Sequence, residues 1–398
     1  MDLAIKDVQH HLGKFLATIA GVGLLFMIVL VMDGIYRGNI ADGLWMINNT
    51  PADLWVVERF RGGPFNEQSR LTEDSYRSIA ATPGVAAASP YITYTVERRM
   101  VARKSQQFTI VGYDIFGELG APTTIVSGRT IRRAHYELVA DQKLGLALGQ
   151  QVHLGVHDYT VVGLTKGAVD TAGNPIIYLS LHDAQEVLYQ QDNEALYAQR
   201  DSDLRRLRAA GLSYEQAYRL VPVVSSHTNT INAVLVRLSP GANPDKVARQ
   251  IQDWLYFNVY TPQQESELML KGRIERMSAM LNIFRSLLIV ISTIIIALII
   301  YVLTAEKIRS IATLKLIGAS NWIIVRLVLE QAVVLTASSF ACACPLAMNL
   351  RDKLPRTLVF FPSDILITLL VMLIGGVLAS LLAIWVALKT PPSLALGG

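Results

Sequence analysis

Four stretches of this chain lose their charges for long enough to cross a membrane. A helix that spans ~30 Å of hydrocarbon needs about 20 predominantly apolar residues, because each rises ~1.5 Å and lipid offers the backbone no other hydrogen-bond partner. Phe15 to Met32 is free of charge until Asp33, Leu287 to Thr304 is dominated by Ile and Leu, and Gln331 to Leu350 and Ile365 to Leu388 follow. The first run exceeds the about 7–15 residues of a signal-peptide h-region and no clean small-x-small cleavage site follows it, so it reads as a span. The expected order is a lead-in (1–14), a span (15–37), a large polar region (38–280) and a second span (281–304). A loop (305–321), a third span (322–350), a short loop (351–363), a fourth span (364–388) and a tail (389–398) complete it. Four spans place both termini on one side and residues 38–280 on the other. Lys6, Lys14, Lys307, Arg309, Lys315 and Lys389 on the terminal side, against Arg351, Lys353 and Arg356 opposite, lean towards cytoplasmic termini.

The polar region reads as α+β. Asp53–Glu58, Tyr91–Val96, Phe108–Tyr113, Tyr136–Ala140, Gln151–Leu154, Tyr159–Leu164, Ile176–Leu179 and Ile231–Leu238 have strand character. Thr72-Glu73-Asp74 opens a short helix that stops at Pro83-Gly84, and Asp245–Leu255 is a helix after a Pro-Gly-Ala-Asn-Pro turn. Gln190–Leu220 is rich in helix formers and charge and reads as a helical insertion, or a partly disordered one. The region begins and ends with strand and helix pairs of one kind. Its outer segments, 38–115 and 228–275, are therefore expected to form one subdomain with 116–227 inserted as a middle one. Beyond Pro262 nothing but Gly272 interrupts helical character before the second span, which would make a rigid lever. Overall the fold class is an α+β membrane protein with one plus three transmembrane helices and a large domain between the first and second.

Composition agrees: 52% of residues are apolar and 17% charged, where soluble domains carry about 25% charge. A net charge of +4 over 398 residues leaves no basic stripe for a phosphate backbone, which argues against nucleic acid as a partner. Both cysteines, Cys342 and Cys344, lie in the third apolar run, so the polar region holds no disulfide framework. No G-x-x-x-x-G-K-[ST], G-x-S-x-G, H-E-x-x-H or C-x-x-C occurs, and no catalytic residue, cofactor site or metal site is assigned. If ATP drives the protein, another chain binds it. His153 and His157 stand four apart on strand and turn, too distant in a straight strand to share a metal, and read as solvated.

Asp33, Arg326 and Glu330 lie within a turn or two of a membrane border and are expected to reach water, the last two as an i, i+4 pair. Small residues suited to close helix packing recur at Ala17-x-x-x-Gly21, Gly375-x-x-x-Ala379 and Gly376-x-x-x-Ser380, either within the chain or between two copies. Pro345 is expected to kink the third span.

The most informative segment lies between the second and third spans. Ile308, Ile311, Leu314 and Leu316 recur at helical spacing, Glu306, Lys307, Arg309 and Lys315 take other positions, and Gly318 ends the helix. The pattern predicts a short amphipathic helix at the membrane surface, with one face free for a partner. Glu306-Lys307-Ile308-Arg309-Ser310-Ile311-Ala312-Thr313-Leu314-Lys315-Leu316-Ile317-Gly318-Ala319 resembles the loop of MacB, FtsX and LolC-type permeases of ABC transporters, approximately E-R-x-x-E-I-x-x-L-[KR]-A-[LI]-G-A. Ser310 stands in place of the usual acidic residue and Leu316 in place of a small one. Leu3–Phe15 looks like that family's N-terminal cytoplasmic amphipathic helix, Val139–Leu164 like its middle extracytoplasmic subdomain, and Thr390–Leu396 like its closing D-P-x-x-A-L-R, with Gly397 where Arg is usual.

The resemblance implies a permease subunit in the bacterial inner membrane, paired with a second copy or a paralogue. A separate cytoplasmic ATPase would bind ATP and Mg, and a periplasmic adaptor or acceptor protein is a further expected partner. Glu306, Lys307, Arg309, Ile311, Leu314, Lys315, Gly318 and Ala319 would meet the ATPase. The implied activity is mechanical export or extraction of a lipid, lipoprotein or amphiphile. An FtsX-like regulator of a cell-wall hydrolase is the second reading, and a membrane-bound enzyme or sensor the third.

Overall fold

The computed structural model describes residues 12–65, 67, 69–99, 105–117, 119–191, 193–217, 230–351, 354 and 356–389. Most of the amphipathic start (3–11) and the closing 390–396 motif lie outside the described residues. The chain forms two compact units, one of residues 1–39 with 276–398 and one of residues 40–275.

The first helix, α1 (Leu12–Asn49), does not stop where the apolar run stops. It continues through Asp33, Arg37 and Asp42, so that its 38 residues extend about 57 Å, nearly twice the hydrocarbon thickness.

Residues 40–275 then fold as β1 (Leu54–Val57), β2 (Leu71–Thr72), α2 (Ser75–Ala80), β3 (Val85–Arg99), β4 (Ser105–Tyr113), β5 (Ile125–Gly128) and β6 (Glu137–Asp141). There follow β7 (Gln151–Leu154), β8 (His157–Thr165), β9 (Ile176–Ser180), α3 (Leu181–Gln191) and α4 (Asn193–Ala209). After these come β10 (Thr230–Ile231), β11 (Ala233–Leu238), α5 (Pro244–Leu255), β12 (Asn258–Tyr260) and α6 (Pro262–Met269). Among the described residues one ten-stranded mixed sheet runs β12-β1-β11-β3-β4-β9-β6-β8-β5, with β7 paired to β8, and β2 and β10 form a separate pair. β4 with β9 and β6 with β8 are parallel. The longest ladder joins β3 and β4 from Tyr91↔Tyr113 to Arg99↔Ser105.

Every residue of β1 is buried, because alternate side chains enter cores on opposite faces of the sheet. Leu54 and Val56 join Phe108, Ile110, Leu138, Val161, Val234 and Ile251 on one face, while Trp55 and Val57 join Tyr91, Val111, Tyr178 and Leu235 on the other. The described strands within 116–227 therefore share a sheet and a core with the outer segments, through the β4–β9 ladder. Gln190–Leu220 is helical where described up to Ala209, as α3 and α4.

Helix starts follow their local chemistry. Asn243 caps α5 by accepting from Asp245 N at 2.9 Å, with Pro244 in the first turn. Thr261 and Gln264 form a reciprocal capping box on α6. From α6 the chain passes through one π-turn, Leu270–Ile274, into α7 (Glu275–Glu306), so the helix expected from Pro262 into the second span is present with its irregularity at Gly272. The remaining elements are α8 (Ile308–Leu316), α9 (Asn321–Asn349, with Pro345 inside it) and α10 (Pro362–Lys389).

One residue of the α6 first turns is costly to bury. Glu265 is fully enclosed, and neither carboxyl oxygen has a hydrogen-bond partner among the described residues. Gly63, at φ +88°, lies so close that a Cβ there would overlap the carboxyl group. Burial alone pushes the acid up to about 8. A carboxyl raised above its unfolded value of about 4.5 binds more protons in the folded state through the intervening window. Its contribution is complete at low pH and is lost as pH rises through 8. Thermal unfolding between pH 5 and 8.5 should show the wild type losing on the order of a few kcal/mol relative to Glu265→Gln, whose profile should be flatter.

Candidate functional site

Between α7 and α9 the chain makes a short, firmly held projection. Lys307 leaves helical geometry, its N–H bonding Thr304 O at 3.1 Å, and α8 begins in a new direction. On one face of α8, Ile311 and Ala312 are buried, and Ile311 packs with Ile324 of α9 and Ala387 of α10. Lys315 donates from Nζ to the carbonyls of Ala387 at 3.1 Å and Leu388 at 2.7 Å. A cation thus satisfies the orphan carbonyls at the C-terminus of α10, where the helix dipole favours positive charge. The end of α8 is a Schellman cap: Ala319 N bonds Leu314 O at 3.0 Å, Gly318 N bonds Lys315 O at 3.1 Å, and Gly318 takes φ +94°.

The residues expected at a partner interface divide accordingly. Glu306, Arg309 and Gly318 face outward, Lys307, Leu314, Lys315 and Ala319 are half-buried, and Ile311 is buried. The sequence reading missed that Ile317 is 80% exposed and Trp322 69% exposed, making the outward surface apolar at its tip. Ile317 is the C-cap of α8 and Trp322 lies in the first turn of α9, so both fall beyond the helix whose periodicity the sequence shows.

A second constellation lies within the helical unit. Asp33 on α1 accepts from Arg285 Nη1 of α7 at 2.7 Å. One turn further along α1, Arg37 makes a two-pronged pair with Asp364 of α10, 2.7 Å from Nε to Oδ2 and 2.8 Å from Nη2 to Oδ1. Asp33 and Asp364 are both buried. Asp33 was expected to reach water; it faces the bundle instead, where only an opposite charge makes its burial tolerable. Gly34 and Gly38, also one turn apart, leave room for the 357–360 segment: Phe360 lies on Gly34, Thr357 O on Gly38, and Val359 N bonds Gly34 O at 3.2 Å.

Among the residues expected in helix packing, Ala17 and Gly21 are exposed and Gly21 has no neighbour within 4 Å, whereas Gly23 meets Ser339 O. A Cβ at Gly375 would stand 2.9 Å from Thr293 Oγ1, and one at Gly376 2.5 Å from Thr336 Oγ1. Ala379 and Ser380 are buried beside them, Ser380 Oγ donating to Val377 O at 2.7 Å. Arg326 pairs with Glu330 at 2.9 Å as expected. His153 bonds Asp158 and His157 bonds Glu186, each at 2.9 Å, as separate pairs. No group of three metal-ligating side chains forms a site among the described residues.

Among the described residues, four helices long and apolar enough to cross a membrane, one before and three after a large α+β domain, define a membrane protein of one-plus-three architecture. Residues 15–254 match the family described as MacB-like periplasmic core domain, and residues 282–392 match the FtsX-like permease C-terminal family. The chain belongs to the MacB/FtsX-type ABC transporter permeases. It is 23% identical over 399 residues, 99% of both chains, to a protein of Mycobacterium tuberculosis named as an uncharacterised ABC transporter permease. It is 22% identical over 408 residues, covering 100% of this chain and 99% of the other, to a Staphylococcus haemolyticus protein provisionally named hemin transport system permease protein HrtB. The periplasmic region of MacB from Actinobacillus actinomycetemcomitans overlaps 57% of this chain and 95% of its own length at 12% identity and a TM-score of 0.34, too loose an overlap to carry structural detail.

The paired charges make a testable contribution. Asp364→Asn, which leaves Arg37 without its carboxylate, should lower stability by about 1–3 kcal/mol, the partial exposure of Arg37 keeping the loss below that of a fully enclosed pair. Arg37→Leu combined with Asp364→Leu should recover most of it in thermal melts of the detergent-solubilised chain.

Proposed function

We propose that this chain is the mechanical subunit of an export or extraction system. It couples ATP hydrolysis on a separate cytoplasmic ATPase, which binds ATP and Mg, to movements of the domain at residues 40–275 on the far side of the inner membrane. The observation that carries this reading is α8: a helix anchored to α9 and α10 and closed by a Schellman cap, with Arg309, Ile317 and Trp322 turned outward. A connector alone would need neither the anchor nor the exposed apolar tip. The absence of a nucleotide-binding loop from the chain agrees with hydrolysis on a partner.

Two copies, or this chain and a paralogue, would place two such helices against a pair of ATPases, and an adaptor or acceptor would receive the cargo from the domain. The cargo class is a lipid, lipoprotein or other amphiphile. A relative named for hemin transport fits the same class, since hemin is itself an amphiphile.

Gentle purification from the native membrane followed by mass spectrometry should recover a Walker-motif ATPase, and a cysteine at Arg309 or Thr313 should crosslink to it. Failure of both would remove the coupling role from α8. Gly318→Ala places a Cβ at φ +94° and should cost the cap about 1–2 kcal/mol, with Gly318→Pro more severe. Both variants should remain in the membrane while ATP turnover ceases to respond to cargo. An impermeant thiol label should reach a cysteine at Ser202 from outside the cell and not one at Ser310; the reverse result would invert the orientation.

A further inference from the structure

The loop between β5 and β6 carries three arginines and a histidine from Arg129 to His135, and coupling through the helices makes no use of them. Two buried carboxylates hold this loop from behind. Glu137 takes Arg129 as a two-pronged pair, 2.6 Å from Nη2 to Oε1 and 2.9 Å from Nη1 to Oε2. Its Oε2 also accepts from Arg132 N at 2.9 Å and Arg133 N at 3.2 Å. The Arg129 hydrogen bonds, with those backbone donors, outweigh the cost of burial and hold the Glu137 carboxyl at about 2, so it stays ionised near neutral pH. Asp183, completely buried in the first turn of α3, accepts from Tyr136 N at 2.9 Å through Oδ2, and its Oδ1 lies 2.8 Å from His135 Nδ1. Between these two anchors Ile131 is buried in the core. The loop is held even at the expense of backbone strain, since Tyr136 takes φ +64°, which a residue with a Cβ disfavours.

The result is a rigid surface of one sign. Both acids are enclosed behind the loop, whereas Arg132 and Arg133 are exposed, Arg133 over 83% of its side chain. Arg133 comes no closer than 3.8 Å to Glu137, whose oxygens Arg129 and the backbone already occupy. Exposed guanidinium groups offer planar forks of N–H donors that match the oxygens of a phosphate or carboxylate. Large apolar side chains border the same loop. The Tyr136 ring is exposed and lies 5.1 Å from that of His157, next to exposed Val156. On the other flank exposed Leu148 lies against Gly128, where a Cβ would stand 2.8 Å from Leu148 Cδ2, and Gly128 leads directly into Arg129. Charge alone would suit an inorganic ion or an acidic peptide. Cations bordered by exposed apolar side chains suit a molecule that has an anionic head and a hydrocarbon part.

We propose that the loop from Arg129 to Tyr136 receives the anionic head of an amphiphile, with Arg132 and Arg133 as the binding residues and Tyr136 and Leu148 against the hydrocarbon part. Glu137 and Asp183 are positioning residues, which fix the loop backbone and leave the outward charge uncancelled. The proposal rests on the reading of the cargo as an amphiphile and narrows it to one with a phosphate or carboxylate head.

Native mass spectrometry of the full-length chain in a non-ionic detergent, with lysophosphatidylglycerol as the probe, tests the site. One saturable equivalent per chain is expected, and it should weaken as ammonium acetate is raised, because exposed charges are screened by salt. Lysophosphatidylcholine of the same acyl length, which has no net charge, and glycerol phosphate, which has no acyl chain, should each bind at least about tenfold more weakly. The double variant Arg132→Ser/Arg133→Ser, at exposed positions, should melt as the wild type does and bind lysophosphatidylglycerol at least about tenfold more weakly. Leu148→Ser should weaken the lysolipid by about threefold or more and leave glycerol phosphate unaffected. Equal binding of the two lysolipids overturns the proposal, and so does undiminished binding in the double variant, which would place the lipid on the membrane-spanning helices. A hexaglutamate peptide that binds as tightly as lysophosphatidylglycerol also overturns it, in favour of an acidic polypeptide. Loss of this site with an ATPase still crosslinked at Arg309 or Thr313 would leave the coupling role of α8 standing.

Discussion

Hydrocarbon offers a peptide group no partner except another peptide group, and a charge no stable place except beside its opposite. The first condition turns four apolar stretches into four helices; the second decides which of them meet. Asp33 with Arg285 joins α1 to α7, and Arg37 with Asp364 joins α1 to α10, so that two acids and two bases close one end of the bundle with no net charge. The apolar core of Val22, Phe26, Ile296, Ile300, Val328, Leu335, Met372 and Ala383 is compatible with many rotations of four greasy helices. The pairs are not. Each requires a carboxylate and a guanidinium to face one another at 2.7–2.8 Å, and Gly34 and Gly38 permit the 357–360 segment to lie against the same stretch of α1.

A related economy governs the inserted domain. β1, the first strand after α1, lies between β11 and β12, the last two before α6. The chain therefore enters and leaves the sheet at adjacent strands, with the rest of the domain folded as an excursion between them. An excursion of this kind can be inserted between two membrane helices without separating them. Its entry and exit are both helical, α1 on one side and α6 with α7 on the other, and the only irregularity on the exit side is the π-turn at Leu270–Ile274.

The parts of this structure that sequence pattern revealed are those encoded locally. Spans were legible because charge is absent over runs long enough to cross a bilayer, and α8 because its apolar residues recur in phase before a glycine that takes positive φ. Strands of five or more residues were found, as were the four-residue β1 and β7, whereas β2, β5 and β12 carry no apolar alternation long enough to mark them. Ile231–Leu238 reads as one strand but divides at Asn232, whose Oδ1 accepts from Thr93 N and whose Nδ2 donates to Ser69 O. Those partners are remote in sequence, so nothing local marks the break. The charge pairs were illegible for the same reason: Arg285 and Asp364 lie hundreds of positions from their partners, and Asp33 alone looks like any residue at a membrane border.

The two ends of α10 connect these constraints. At one end its last carbonyls are held by Lys315 of α8, and at the other Asp364 is held by Arg37 of α1. α8 is further fixed by Ile311 against Ile324 of α9 and by its own cap. If α8 has the coupling role proposed for it, a push there would meet charge-assisted or close-packed contacts at each joint. It would be passed to α10 and, through Arg37 and Asp364, to α1. Such a train fails at its joints before it fails in its members. Loosening the Lys315 contact or the Arg37–Asp364 pair leaves every helix intact while separating movement at α8 from movement of α1. Loss of coupling with retention of fold is thus the behaviour that distinguishes a mechanical route through these contacts from a purely structural role for them.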